Sequence, residues 1–84
     1  MVMITKTITI GIYLSDYGKV QERGFKELAK MVVDHDRGIF KDEPIIYKSL
    51  RLPASVVEEI AKQAYEIDKS IVEYTAGVLH SLVN

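Results

Sequence analysis

Residues 45–53 read Ile45-Ile46-Tyr47-Lys48-Ser49-Leu50-Arg51-Leu52-Pro53, and their alternation decides the fold. A period of two puts Tyr47, Ser49 and Arg51 on one face of a strand. Ile46, Leu50 and Leu52 fall on the other face, together with Lys48. Pro44 bounds the strand on one side and Pro53 stops it on the other, which predicts a strand over 45–52. The apolar face has to be buried, so the polar face looks away from the core. A strand standing alone has two unpaired edges and invites pairing with another chain. Two identical strands, antiparallel about a two-fold axis, would form a ribbon, and a two-stranded ribbon fits the major groove of DNA.

Two helices are expected to follow. The first carries Val56, Val57, Ile60, Ala61, Ala64 and Ile67, and the second carries Ile71, Tyr74, Thr75, Val78, Leu79 and Leu82. Both sets keep the three-and-four spacing of a helix with one buried stripe. Each helix opens on a capping box, Ser55-Val56-Val57-Glu58 and Ser70-Ile71-Val72-Glu73, in which a serine and a glutamate satisfy orphan amides reciprocally. Only Ile67-Asp68-Lys69 separates them, so the turn is tight.

Strand, helix, tight turn and capped helix over about residues 45–84 resemble the ribbon-helix-helix family of DNA-binding proteins, of the Arc and MetJ repressor type. The resemblance rests on Leu50-Arg51-Leu52-Pro53, the helix from Ser55 to Ile67, and Ser70 opening a helix that contains Val78-Leu79. It implies that Tyr47, Ser49 and Arg51 contact bases. It also implies that the start of the second helix, at Lys69, Ser70 and Ile71, holds a DNA phosphate through backbone amides. Three departures stand out. Lys48 takes an inward position that is usually apolar, and is read as snorkelling to a phosphate. Asp68 stands where the turn commonly has glycine. Asp68 and Glu73 put carboxylates beside the phosphate anchor.

Upstream, Ile8, Ile10, Ile12 and Leu14 alternate with Thr7, Thr9, Gly11 and Tyr13, which predicts a strand over 7–14. Ser15-Asp16-Tyr17-Gly18 offers turn chemistry and an N-cap. A helix is expected over about Lys19–His35, with Val20, Leu28, Met31 and Val32 on one side and Phe25 at its edge. Gly24 costs it about 1 kcal/mol relative to Ala. Asp36-Arg37-Gly38 is expected to end it, with Gly38 as the left-handed residue. The fold class is therefore α+β and mainly helical: a strand-helix extension, residues 1–40, ahead of a ribbon-helix-helix domain, residues 45–84. The extension is read as a cover for the dimer, a joint between dimers in a tetramer, or a surface for another protein.

Composition bounds the function. With 84 residues and no cysteine, the chain has little core of its own and no disulfide to compensate, so its 48% hydrophobic content points to an oligomer. The net charge of −1 requires any DNA-binding surface to be a local one. Asp34-His35-Asp36 reads as solvated helix-end charge, so no metal is expected, and no cofactor either. No nucleophile with a base stands out, which excludes an enzyme. Met1-Val2-Met3-Ile4-Thr5-Lys6 lacks the layout of a signal peptide, and no run is long enough to span a membrane; a cytoplasmic location is expected. The leading expectation is a homodimeric, sequence-specific transcriptional repressor reading a palindromic or pseudo-palindromic site. The alternatives are a homo-oligomeric protein-interaction module that never meets DNA, and an antitoxin with a toxin partner.

Overall fold

The structure, a computed structural model, describes residues 4–35 and 38–84. It is a small, mostly helical α+β fold. Strand β1 (Thr5–Tyr13) leads through a 3-10 turn (Leu14–Asp16) to helices α1 (Tyr17–Arg23) and α2 (Phe25–Val32). Strand β2 (Ile45–Pro53) follows, then α3 (Ala54–Glu66) and α4 (Ile71–Val83).

The strand expected to stand alone has a partner within its own chain. β1 and β2 pair antiparallel along their whole length, with Thr7 opposite Arg51, Thr9 opposite Ser49 and Gly11 opposite Tyr47. The first strand, read from the sequence as part of an arm, thus takes the place that a second chain was expected to fill. Ile8, Ile10, Ile12, Leu50 and Leu52 all lie buried on one face of this pair. A slip of one residue would turn them outward at about 1.5–3 kcal/mol each, so the register is strongly held. They share one core with Val20, Leu28, Ala29 and Val32 from α1 and α2, and with Ile60, Ala64, Tyr74, Val78 and Leu79 from α3 and α4.

Helix α4 is the hub. Its stretch Tyr74–Leu79 is buried, and it crosses β1 where a side chain is missing. A Cβ on Gly11 would collide with the Val72 carbonyl and with Ile45. There the Gly11 amide donates to Thr75 Oγ1 at 2.8 Å, in the interior.

Several local expectations are corrected. The single helix over 19–35 is broken at Gly24, whose φ of 101° ends α1 and starts α2. That rotation leaves Met31 42% exposed and buries Ala29 instead. The terminator Asp36-Arg37 lies outside the described residues, and α2 has already ended at Val32. Leu14 leaves the strand for the 3-10 turn and is 57% exposed, while Tyr13, expected on the outer face, is buried. Tyr13 packs edge-on against His80, and its hydroxyl accepts from the Lys41 amide at 2.7 Å.

The box at Ser55 does not form. The cap position falls two residues earlier, on Pro53, with no side-chain cap, and Glu58 pairs with Lys6 at 3.0 Å. Asp16 occupies the N-cap position of α1 without capping it. Its buried carboxylate turns inward to His80 Nδ1 at 2.6 Å and accepts from Asn84 Nδ2 at 3.0 Å. On the surface, the Ser15 hydroxyl donates to Glu43 at 2.7 Å and Lys41 Nζ lies 2.9 Å from the same carboxylate. The Ser15 hydroxyl, then Lys41, hold the Glu43 pKa down to about 2.

Candidate functional site

The outer face of the β1–β2 pair carries a run of exposed polar side chains. β1 contributes Thr5, Thr7 and Thr9, and β2 contributes Tyr47, Ser49 and Arg51; all are exposed except the half-buried Thr5. Alternation along both strands puts them on one face, because their neighbours fill the core. Thr9 Oγ1 and Ser49 Oγ lie 3.2 Å apart in a hydroxyl pair at the centre. Arg51 Nη2 donates to Thr5 Oγ1 at 2.9 Å, which steadies the exposed guanidinium on the ribbon. Tyr47 is 69% exposed opposite Gly11, which offers it no side chain.

Tyr47, Ser49 and Arg51 therefore share one exposed face, as their spacing predicts. The threonine column beside them was missed. Its signal was present in the alternation of residues 5–11, but that strand was assigned to a separate arm, so its polar face was never set beside Arg51.

Of the residues read as phosphate contacts, the two lysines are engaged by aromatic rings. Lys48 is half-buried with its ammonium 5.0 Å from the centre of the Phe25 ring. Lys69 Nζ lies 4.7 Å from the centre of the Phe40 ring. Both cations are held over aromatic faces, an attractive contact for a charge.

Ser70 caps α4: its Oγ accepts from the Glu73 amide and donates to the Glu73 carboxylate, each at 3.1 Å. Ile71, the first residue of α4, is half-buried. The first turn of α4 borders the polar face, since Gly11 belongs to that face and Val72 blocks its missing Cβ.

The tight turn before Ser70 closes α3 through a residue of positive φ. Asp68 adopts a φ of 57°, its amide bonds to Tyr65 O at 3.0 Å, and the Lys69 amide bonds to Ala64 O at 3.0 Å. This is the paired C-terminal closure that a left-handed residue permits.

A concave feature lies between residues 38–40, α3 and α4, lined in part by Ile39, Phe40, Ile67 and Tyr74. Two of its polar groups are engaged internally: the Tyr74 hydroxyl donates to Gln63 Oε1 at 2.8 Å, and Gln63 Nε2 donates to Val33 O at 2.9 Å. His35 Nε2 lies 3.0 Å from Ser81 Oγ. Among the described residues no three His, Asp or Glu side chains gather to hold a metal. No described helix is long and apolar enough to cross a membrane. No family model, characterised protein or solved structure matches the chain.

Proposed function

We propose that this protein is a sequence-specific DNA-binding regulator, a repressor, that lays the β1–β2 ribbon into the major groove. In this reading β2, α3 and α4 are one strand-helix-helix half of a ribbon-helix-helix unit, and β1 of the same chain supplies the second strand. The observation that carries it is the two-stranded polar face itself. Threonine, serine, tyrosine and arginine side chains stand exposed on a sheet whose opposite face buries Ile8, Ile10, Ile12, Leu50 and Leu52 in the core. A two-stranded ribbon is narrow enough for the major groove, about 12 Å wide.

The roles follow from donor and acceptor inventories. Arg51 reaches a guanine O6 and N7 with its fork of donors, and the bond it donates to Thr5 sets its direction. Ser49 and Tyr47 offer hydroxyls that donate or accept. Lys69, Ser70 and Ile71 meet a phosphate at the start of α4 once Lys69 leaves the Phe40 ring, and Lys48 reaches one by leaving Phe25.

The test is binding of the chain to random duplex across a salt series, then to sequences selected from it. A steep loss of affinity with salt is expected. Arg51→Ala is expected to lose roughly 1–3 kcal/mol of discrimination at one base step. Salt-independent or undetectable binding at low salt rejects the reading.

A second reading, homo-oligomerisation through strand pairing, is favoured by the outer edge of β2. Leu14 N bonds to Pro44 O and Ala54 N bonds to Ile4 O, so the even-numbered residues bond across the pair. The amides and carbonyls of Tyr47, Ser49 and Arg51 therefore turn away from β1, toward an edge that can accept another strand. Light scattering on Ser49→Pro decides: loss of a dimer on removing one edge donor supports this reading.

A further inference from the structure

We infer that the DNA element read by this face is non-palindromic and is read by a single chain, with a guanine facing Arg51 beside thymines facing Thr7 and Thr9. The inference rests on the DNA-binding reading above and sharpens it.

A ribbon built from two identical strands presents the same groups twice, related by a two-fold axis, and reads a palindrome. This ribbon is built from two different strands. One column runs Thr5, Thr7, Thr9, Gly11, and the other runs Pro53, Arg51, Ser49, Tyr47 in register beside it. A 180° rotation about the centre of the ribbon would lay Arg51 on Thr9, Ser49 on Thr7 and Tyr47 on Thr5, so no dyad survives in the chemistry.

The two ends differ as well. At the Gly11 end the first turn of α4 closes on the face. At the other end Arg51 is tied to Thr5, and α3 begins directly after the strand.

The two columns differ in what they recognise. A threonine presents a methyl group, which suits the C5-methyl of thymine, and a hydroxyl that donates or accepts. Thr7 and Thr9 expose their methyl groups, with the Thr9 hydroxyl also paired to Ser49, whereas Thr5 is half-buried and engaged by Arg51. Arginine is the side chain that reads guanine most specifically. Alternate strand residues advance about 6.8 Å, about two base-pair steps of 3.4 Å. The span from Tyr47 to Arg51 thus covers about five base pairs. Thr7 stands directly opposite Arg51, which places the guanine and the first thymine at the same end of the element.

The test is selection of bound sequences from a random duplex library by the full chain, followed by native mass spectrometry on a short selected duplex. Expected are a consensus of about five base pairs without dyad symmetry and one chain per duplex. Arg51→Ala should erase a preference of roughly five- to a hundredfold at one G·C pair only. Thr9→Val keeps the methyl and loses the hydroxyl, and should retain the preference for thymine at its position.

A palindromic consensus bound by two chains would overturn the inference and leave DNA binding standing. So would Arg51→Ala relaxing two positions related by a dyad. If no sequence is enriched and duplex binding shows no salt slope, the DNA-binding reading fails, and this inference fails with it.

Discussion

The amide of Gly11 donates to the hydroxyl of Thr75 at 2.8 Å, and this bond joins the central helix to the first strand in the interior. Thr75 is fully buried, and the same hydroxyl donates back to Ile71 O at 2.7 Å. Thr75→Val leaves the Gly11 amide buried without a partner, at a cost of roughly 1–3 kcal/mol. Thr75→Ser keeps the bond and should lose less. Gly11→Ala forces α4 off β1 and should cost roughly 1–3 kcal/mol or more. Urea midpoints at constant slope measure all three.

Asp68 holds the left-handed conformation that closes α3. That conformation costs an ordinary L-residue roughly 1–2 kcal/mol, and less for aspartate. Asp68→Gly is therefore expected to raise stability, by up to about 1 kcal/mol after the entropy lost by glycine is counted. Asp68→Val should lower it by at least about 1 kcal/mol, because a β-branched residue tolerates this region worst. Thermal melting of the two variants should shift in opposite directions.

Glu43 titrates at about 2 because the Ser15 hydroxyl and Lys41 bind its charged form. Its folded value lies below the ordinary 4.5, so the tether contributes fully above pH 4.5 and is lost as the pH falls through about 2. The pKa of Lys41 is raised by the same contact. In a carboxyl-detected NMR titration, Glu43 should show a midpoint near 2. Ser15→Ala should move that midpoint upward toward the ordinary carboxylate range.

Asp16 and His80 form a close pair in which the Asp16 side chain is 3% exposed. Removing one partner of a buried pair costs roughly 3–5 kcal/mol, since the remaining charge has no water to turn to. His80→Ala is expected to approach that loss, softened by the bond from Asn84. Asn84→Ala should cost less. Chemical denaturation ranks the two, and an equal loss would mean that His80 adds nothing.

Where pattern and packing agree, the sequence was a sufficient guide. β2, α3 and α4 lie within a residue or so of their expected bounds, because alternation, helical spacing and the Ser70 cap all point the same way. The failures have physical causes. Gly24 was counted as a tolerable cost inside a helix, yet it takes a conformation that no helix admits. Ser55 matched a capping box, but Pro53 had already started the helix. Tyr13 looked outward by alternation, and only the fold brings His80 and Lys41 over it. Of the polar face, Tyr47, Ser49 and Arg51 were legible in one strand. Which strand lies beside them is a long-range fact, and no local pattern near residue 50 encodes it.

That long-range pairing changes how assembly responds to dilution. A ribbon shared between two molecules dissociates as protein becomes scarce and admits strands from related chains. A ribbon closed by its own tether forms in a first-order step. The connecting segment keeps each strand at an effective concentration on the order of millimolar around the other, whatever the copy number of the protein.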